Sequence, residues 1–182
     1  MDLNPIFGQR RTIHEFNEEI VNEDIIERAL EAANLAPCHK HTFPWRFKII
    51  SKEKRKKLFE ISSKLKSQNT KLSNISKKKL YDKMMNPSHL IIASQIKSNS
   101  LITEREDYAA CCCSIQNMML SLAHEYVGSK WSTSKVTLSN ETYELTNINI
   151  ANEKIIGFIY IGYGKKPKKI KRPKVRAIVN RT

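Results

Sequence analysis

Nowhere in the 182 residues is there a run of about 20 apolar side chains, so no membrane-spanning helix is expected. The opening residues, Met1 to Arg11, lack the apolar stretch of a secretory signal, and a soluble cytoplasmic protein is expected. Glycine and proline are scarce, at 5 and 6, and with 40% hydrophobic residues the chain is not of disordered composition. Cysteine is also sparse. Cys38 stands alone and Cys111, Cys112 and Cys113 are consecutive, so there is no spaced disulfide framework, and reduced thiols are expected. Consecutive helical positions point about 100° apart, so these three sulfurs cannot converge on one metal ion. They read as small core residues, and no metal is expected.

Familiar catalytic signatures are missing as well: no GxxxxGK[ST], no GxGxxG, no GxSxG and no HExxH. Acidic residues are outnumbered, 18 against 32 Lys and Arg, giving a formal charge of +14. Such an excess raises nucleic acid as a partner. However, the basic runs at Lys52–Lys57, Lys64–Lys79 and Lys165–Lys174 are interleaved with Ser and Asn and carry few aromatics for stacking on bases. The first reading is a lysine-rich solvated surface, with a basic nucleic-acid-binding module as the secondary one.

What is present suits one domain over residues 1–182, a length able to bury a sizeable core. No internal repeat or linker interrupts it. Asn22 to Leu35 reads as an amphipathic helix: Asn22 is the N-cap, Glu23 and Asp24 favour the first turn, and Pro37 stops it. Trp45 to Ile49 alternates as a half-buried strand. Lys54 to Met85 suggests a helix on Leu58, Ile61 and Leu65, a mobile middle, and a weaker pattern around Leu72 and Ile75. His89–Ser94 and Ile155–Gly162 read as buried strands and Glu104–Tyr126 as a central buried helix that Gly128 terminates, with a basic, irregular tail after them.

Two constellations carry polar chemistry. Arg10-Arg11-Thr12, with His14 close behind, offers guanidinium forks and a hydroxyl suited to a phosphate. Ala36 to Trp45 is a loop held by Pro37 and Pro44 that concentrates Cys38, His39, Lys40 and His41. Two imidazoles without a third ligand nearby suit hydrogen bonding more than metal binding.

In order, these segments resemble the nitroreductase family. Gln9 to Phe16 is similar to that family's RRSxRxF start, and Pro37 to Phe47 to its APSxxNxQPWRF loop and strand. Asp107 to Gly128 resembles its central helix, and Gly157 to Gly164 its last core strand. The resemblance implies an α+β fold around a mixed central sheet, and an intertwined homodimer with FMN at its interface. It also implies hydride transfer from NAD(P)H through FMN to an electron-poor acceptor such as a nitroaromatic or quinone. A member with another reaction, or with no turnover, is the alternative.

Carried over by position, Arg10 and Thr12 would hold the flavin phosphate and ribityl chain, with Arg11 a neighbouring contact. Pro37, Cys38, His39 and Lys40 would approach the ring, from the partner subunit, in a short branch of the family. Trp131, Ser132 and Thr133 would offer backbone amides to it. Arg172, with Lys174 and Arg176 as weaker choices, would complete the phosphate site. No protein side chain is required as a catalytic acid or base, and His39 and His41 are the weak candidates. Three departures, Cys38 for Ser, His41 for Asn and Phe43 for Gln, leave substrate preference open.

Overall fold

The computed structural model describes residues 4–68, 71–168 and 170–180. Helix α1 is Asn4–Gln9, α2 Glu23–Asn34, β1 Trp45–Ile49, α3 Lys52–Ser67, α4 Asn74–Met85 and β2 His89–Ile96. Next come α5 Leu101–His124, β3 Gly128–Ser132, α6 Asn140–Thr146 and β4 Glu153–Gly162. Short 3-10 turns lie at His39–His41, Lys135–Leu138 and Val175–Ala177.

The cap read from the sequence is made: the Asn22 side chain accepts from the Asp24 N–H, leaving α2 to bury Ile26, Ala29 and Ala33. Pro87 ends the α4 connection, and the apolar runs beyond it form the sheet centre. The strand order is β1-β2-β4-β3, every strand pairing is antiparallel, and the parallel element is reduced to an isolated Thr12–Ser129 bridge. One sheet face packs Ile91, Ile159 and Ile161 against α2 and α5. The other packs Leu90, Ile92, Phe158 and Tyr160 against Leu58 and Met84 of α3 and α4. Burying both faces requires the near-continuous apolar runs that β2 and β4 show.

Four expectations are corrected in detail. Cys111 is buried, but Cys112 is half-buried and Cys113 exposed, because a helix packed on one side turns each successive residue about 100°. Gly128 does not terminate α5. The chain leaves the helix at Tyr126, whose φ of 59° is left-handed, and Gly128 opens β3, where a Cβ would meet Ile13 and the Gly162 carbonyl. In α4, Leu80 and Met84 face the core at i, i+4 while Ile75 is exposed. Ile49, the last apolar residue of edge strand β1, is also exposed. The segment expected to be mobile, around residues 69–70, lies outside the described residues.

Gly157 marks where β4 passes under the Trp131 indole, whose Nε1 donates to the Ile156 carbonyl at 3.2 Å. A Cβ at 157 would collide with Nε1 and Cδ1 of that ring. Gly157→Ala is therefore expected to cost about 1–3 kcal/mol, the usual penalty of overpacking, and to shift the tryptophan fluorescence by displacing Trp131. A change below 0.5 kcal/mol, read by urea titration, would show that β3 yields without strain.

Candidate functional site

The chain entering the core after α1 runs alongside β3. Ile13 N donates to Ser129 O at 3.1 Å, so the Ser129 backbone turns outward from the sheet. By the two-residue alternation of a strand, the Trp131 backbone does too. Thr12 is thus bridged to Ser129 at the start of β3, joining two segments more than a hundred residues apart in sequence, and Arg10 and Arg11 lie towards Gly128 and Ser129 rather than beside Trp131 and Ser132. Lys130 and Ser132 alternate onto the opposite face from Trp131.

That opposite face gathers cations that the sequence did not single out. The Lys83 ammonium lies 4.9 Å from the Tyr160 ring centroid and donates to Ser132 Oγ at 3.2 Å. Lys130 Nζ is 3.2 Å from His14 Nδ1. Burial first, then the charges of Lys130 and Lys66, push Lys83 down to about 8, and burial lowers Lys130 as well. No carboxylate is bonded to either ammonium among the described residues. Lys83 lies outside the basic runs read from the sequence, and the only local hint was its place one residue before the inward Met84.

Arginines cluster at the other end. Burial, then Arg172, then Arg11 lower the Arg10 pKa, which places Arg172 close enough for its charge to be felt. Arg11 Nη2 donates to the Lys168 carbonyl at 2.7 Å. Arg10 and Arg11 also line a cleft of about 430 Å³ with Lys165 and Lys166, in which Thr12, Ser132 and Thr133 take no part. Lys174 instead precedes the Val175–Ala177 turn and Arg176 lies within it. Thr133 is exposed and outside any strand.

The loop at 37–44 sits elsewhere. It precedes β1, the edge strand opposite β3, so roughly 14 Å of sheet, three strand spacings of about 4.8 Å, separates the two sets. Thr42 Oγ1 donates to Asp107 Oδ1 of α5 at 2.6 Å, and Phe43 N donates to Cys38 Sγ at 3.2 Å. His39 Nε2 stands 3.9 Å from Glu106. Lys40, His41 and Phe43 all have φ between 43° and 54°, a left-handed conformation that non-glycine residues adopt at a cost of roughly 1–3 kcal/mol each. Phe43 stacks on His41 with ring centroids 5.9 Å apart and meets Trp45 edge-on, so it is loop packing and remains 46% exposed. One chain therefore joins the arginine segment to β3 and leaves the loop apart.

Residues 8–163 match the model of the nitroreductase family. The chain belongs to this family. A Bacillus subtilis (strain 168) relative, provisionally named an NAD(P)H nitroreductase, is 29% identical over 93% of this chain and 88% of its own. An Escherichia coli (strain K12) relative of the same provisional name is 23% identical over 89% and 88%. The crystal structure of a nitroreductase-like protein from Bacillus cereus superposes with a TM-score of 0.87 at 24% identity, over 100% of this chain and 96% of that one. A provisionally named nitroreductase from Desulfovibrio desulfuricans, solved in complex with FMN, gives 0.76 at 17% identity over 100% and 97%. These likenesses establish a nitroreductase-type α+β fold.

Proposed function

We propose that this nitroreductase-family chain is an FMN-dependent oxidoreductase that takes hydride from NAD(P)H and passes it to an electron-poor acceptor such as a nitroaromatic or quinone. The observation that carries this reading is a set of cations that form no salt bridge among the described residues: Arg10, Arg11 and Arg172 near the start of β3, where Glu15 lines the same cleft as the first two, and Lys83 and Lys130 farther along it. Like charges held together repel one another, and an anionic ligand relieves that repulsion. FMN fits such a set, because its phosphate is dianionic and its ring needs hydrogen bonds along one edge.

In this arrangement Arg10, with Arg11 and Arg172, would bind the phosphate by charge-assisted hydrogen bonds. Thr12 would hold the ribityl chain, and the backbone of Trp131, Ser132 and Thr133 would meet the ring edge. Bound FMN would supply the hydride chemistry. Lys83 and Lys130 would stabilise negative charge placed beside Ser132, and shielding by Tyr160 strengthens that effect. Pro37, Cys38, His39 and Lys40 would complete the site from the second subunit of a homodimer, which accords with their place at the far sheet edge. Among the described residues neither the His39 nor the His41 ring makes a hydrogen bond, and flavin-centred chemistry would need none from them. A single domain is the simplest organisation for this assembly.

Purified protein is expected to be yellow, or to become so with FMN, and to bleach anaerobically with NADH or NADPH. Absence of flavin bands after incubation with FMN overturns the reading; bands that resist nicotinamide favour a binding protein without turnover.

The pH dependence follows from Lys83. Its folded pKa of about 8 lies below the ordinary 10.5, so the folded chain releases this proton earlier than the unfolded one. The cost of burying the charge is thus fully present below pH 8 and relieved as pH rises towards 10.5. Affinity for an anion runs the other way: it falls as pH rises through about 8 and Lys83 becomes neutral. Fluorescence titration of FMN between pH 7 and pH 10 should show that fall, and Lys83→Met should flatten it. An equally steep profile in Lys83→Met would assign the effect to another group.

A further inference from the structure

Beyond Lys83 the same face continues into a second cavity, of about 350 Å³, enclosed by α3, α4 and the turn at Lys135–Leu138. Its floor is apolar, formed in part by Leu65, Met84 and Val136. Three lysines, Lys66, Lys83 and Lys135, line it, and no acidic residue does among the described residues. Lys66 acts on the charge of Lys83, so at least two of the three are electrostatic neighbours. Ser62 also lines the cavity; it is 4% exposed, and its hydroxyl has no hydrogen-bond partner among the described residues. An unpaired buried hydroxyl costs free energy that a polar ligand atom recovers.

We propose that this cavity binds a small aromatic acid, its ring against the apolar floor and its carboxylate toward the lysines. On the flavin reading above, on which this identity of the ligand rests, that acid is the electron acceptor. Lys83 borders both the cavity and Ser132, so a ligand held there lies next to the proposed cofactor segment. A neutral ring would leave three clustered cations unrelieved. A nicotinamide diphosphate would spend its charge on a floor of Leu, Met and Val. The mixture of apolar floor and cationic wall therefore selects an acceptor of one ring and one negative charge.

Equilibrium dialysis of the full-length protein, supplied with FMN and without reductant, compares 4-nitrobenzoate with nitrobenzene. The acid is expected to bind about tenfold or more tightly than the neutral analogue, the scale of a hydrogen bond to a charged group. Lys66→Gln/Lys135→Gln changes two exposed residues outside the flavin contacts. It should weaken 4-nitrobenzoate about tenfold and leave nitrobenzene within about twofold. The charge-matched pair Lys57→Gln/Lys77→Gln should leave both unchanged. Leu65→Trp, which fills the cavity, should abolish binding of both compounds. Equal affinity for acid and neutral compound, an equal loss in the charge-matched pair, or acid binding that survives Leu65→Trp overturns the proposal. Flavin absorbance is recorded on the same samples. A colourless protein that still binds the acid through Lys66 and Lys135 keeps the cavity and discards the flavin, whereas normal flavin bands without discrimination do the reverse.

Discussion

Replacing Arg55 by Leu is expected to destabilise the protein by about 3–5 kcal/mol, the largest effect of any single change considered. The guanidinium is only 2% exposed and forms no salt bridge with an acid among the described residues. Its charge is satisfied by three backbone carbonyls: Ile50 at 3.0 Å, Pro87 at 2.7 Å and Ser88 at 2.9 Å. Burial lowers its pKa to about 10, so it stays charged at neutral pH. Those carbonyls belong to the exit of β1 and the entry to β2, and one side chain on α3 locks both.

The network extends from there. Ser88 Oγ accepts from Val21 N at 2.8 Å and bonds the His89 ring at 3.1 Å, and His89 Nε2 meets Glu23 at 2.9 Å. Leucine at 55 would fill part of the space and leave three carbonyls without a donor. Urea titration should show a lower midpoint at unchanged slope. Arg55→Lys, which keeps the charge and loses the fork, should retain part of the stability. A loss below 1 kcal/mol in Arg55→Leu would mean that water replaces the guanidinium.

The second large effect concerns the cofactor. Arg10→Ala is expected to weaken FMN binding roughly 10–100-fold, the range of one or two hydrogen bonds to a charged group. The side chain is only half-buried, so unfolding stability should stay within about 0.5 kcal/mol of the parent. Flavin fluorescence titration at low salt measures the first and thermal unfolding of the flavin-free protein the second. Because the interaction is ionic, added salt should narrow the gap between variant and parent. Unchanged FMN affinity would return Arg10 to the role of a surface charge and leave the phosphate without its assigned partner.

Much of the fold is legible along the chain because its signals are local. Asn22 followed by Glu23 and Asp24 reads as a helix start, and the apolar runs of β2 and β4 read as buried strands. Arg10-Arg11-Thr12 and the Pro37 loop are visible for the same reason: unusual residues stand together. Gly128 misleads because glycine serves a left-handed turn and a close approach equally well. Only the neighbouring Ile13 and the Gly162 carbonyl decide between them.

The basic residues divide differently. Lys52 to Lys57 and Lys64 to Lys79 look alike in sequence, a lysine-rich solvated surface, with Arg55 inside the first and Lys83 just beyond the second. The amino-acid sequence by itself determined the net charge, the helices and strands that carry it, and the ordered segments that mark the family. The tertiary structure decided that Arg55 is buried and that Lys83 is shielded over Tyr160. A charge leaves water only where distant backbone carbonyls or rings replace its hydration, and those partners, Pro87 and Ser88 for one and Tyr160 and Ser132 for the other, come from segments that local periodicity cannot see.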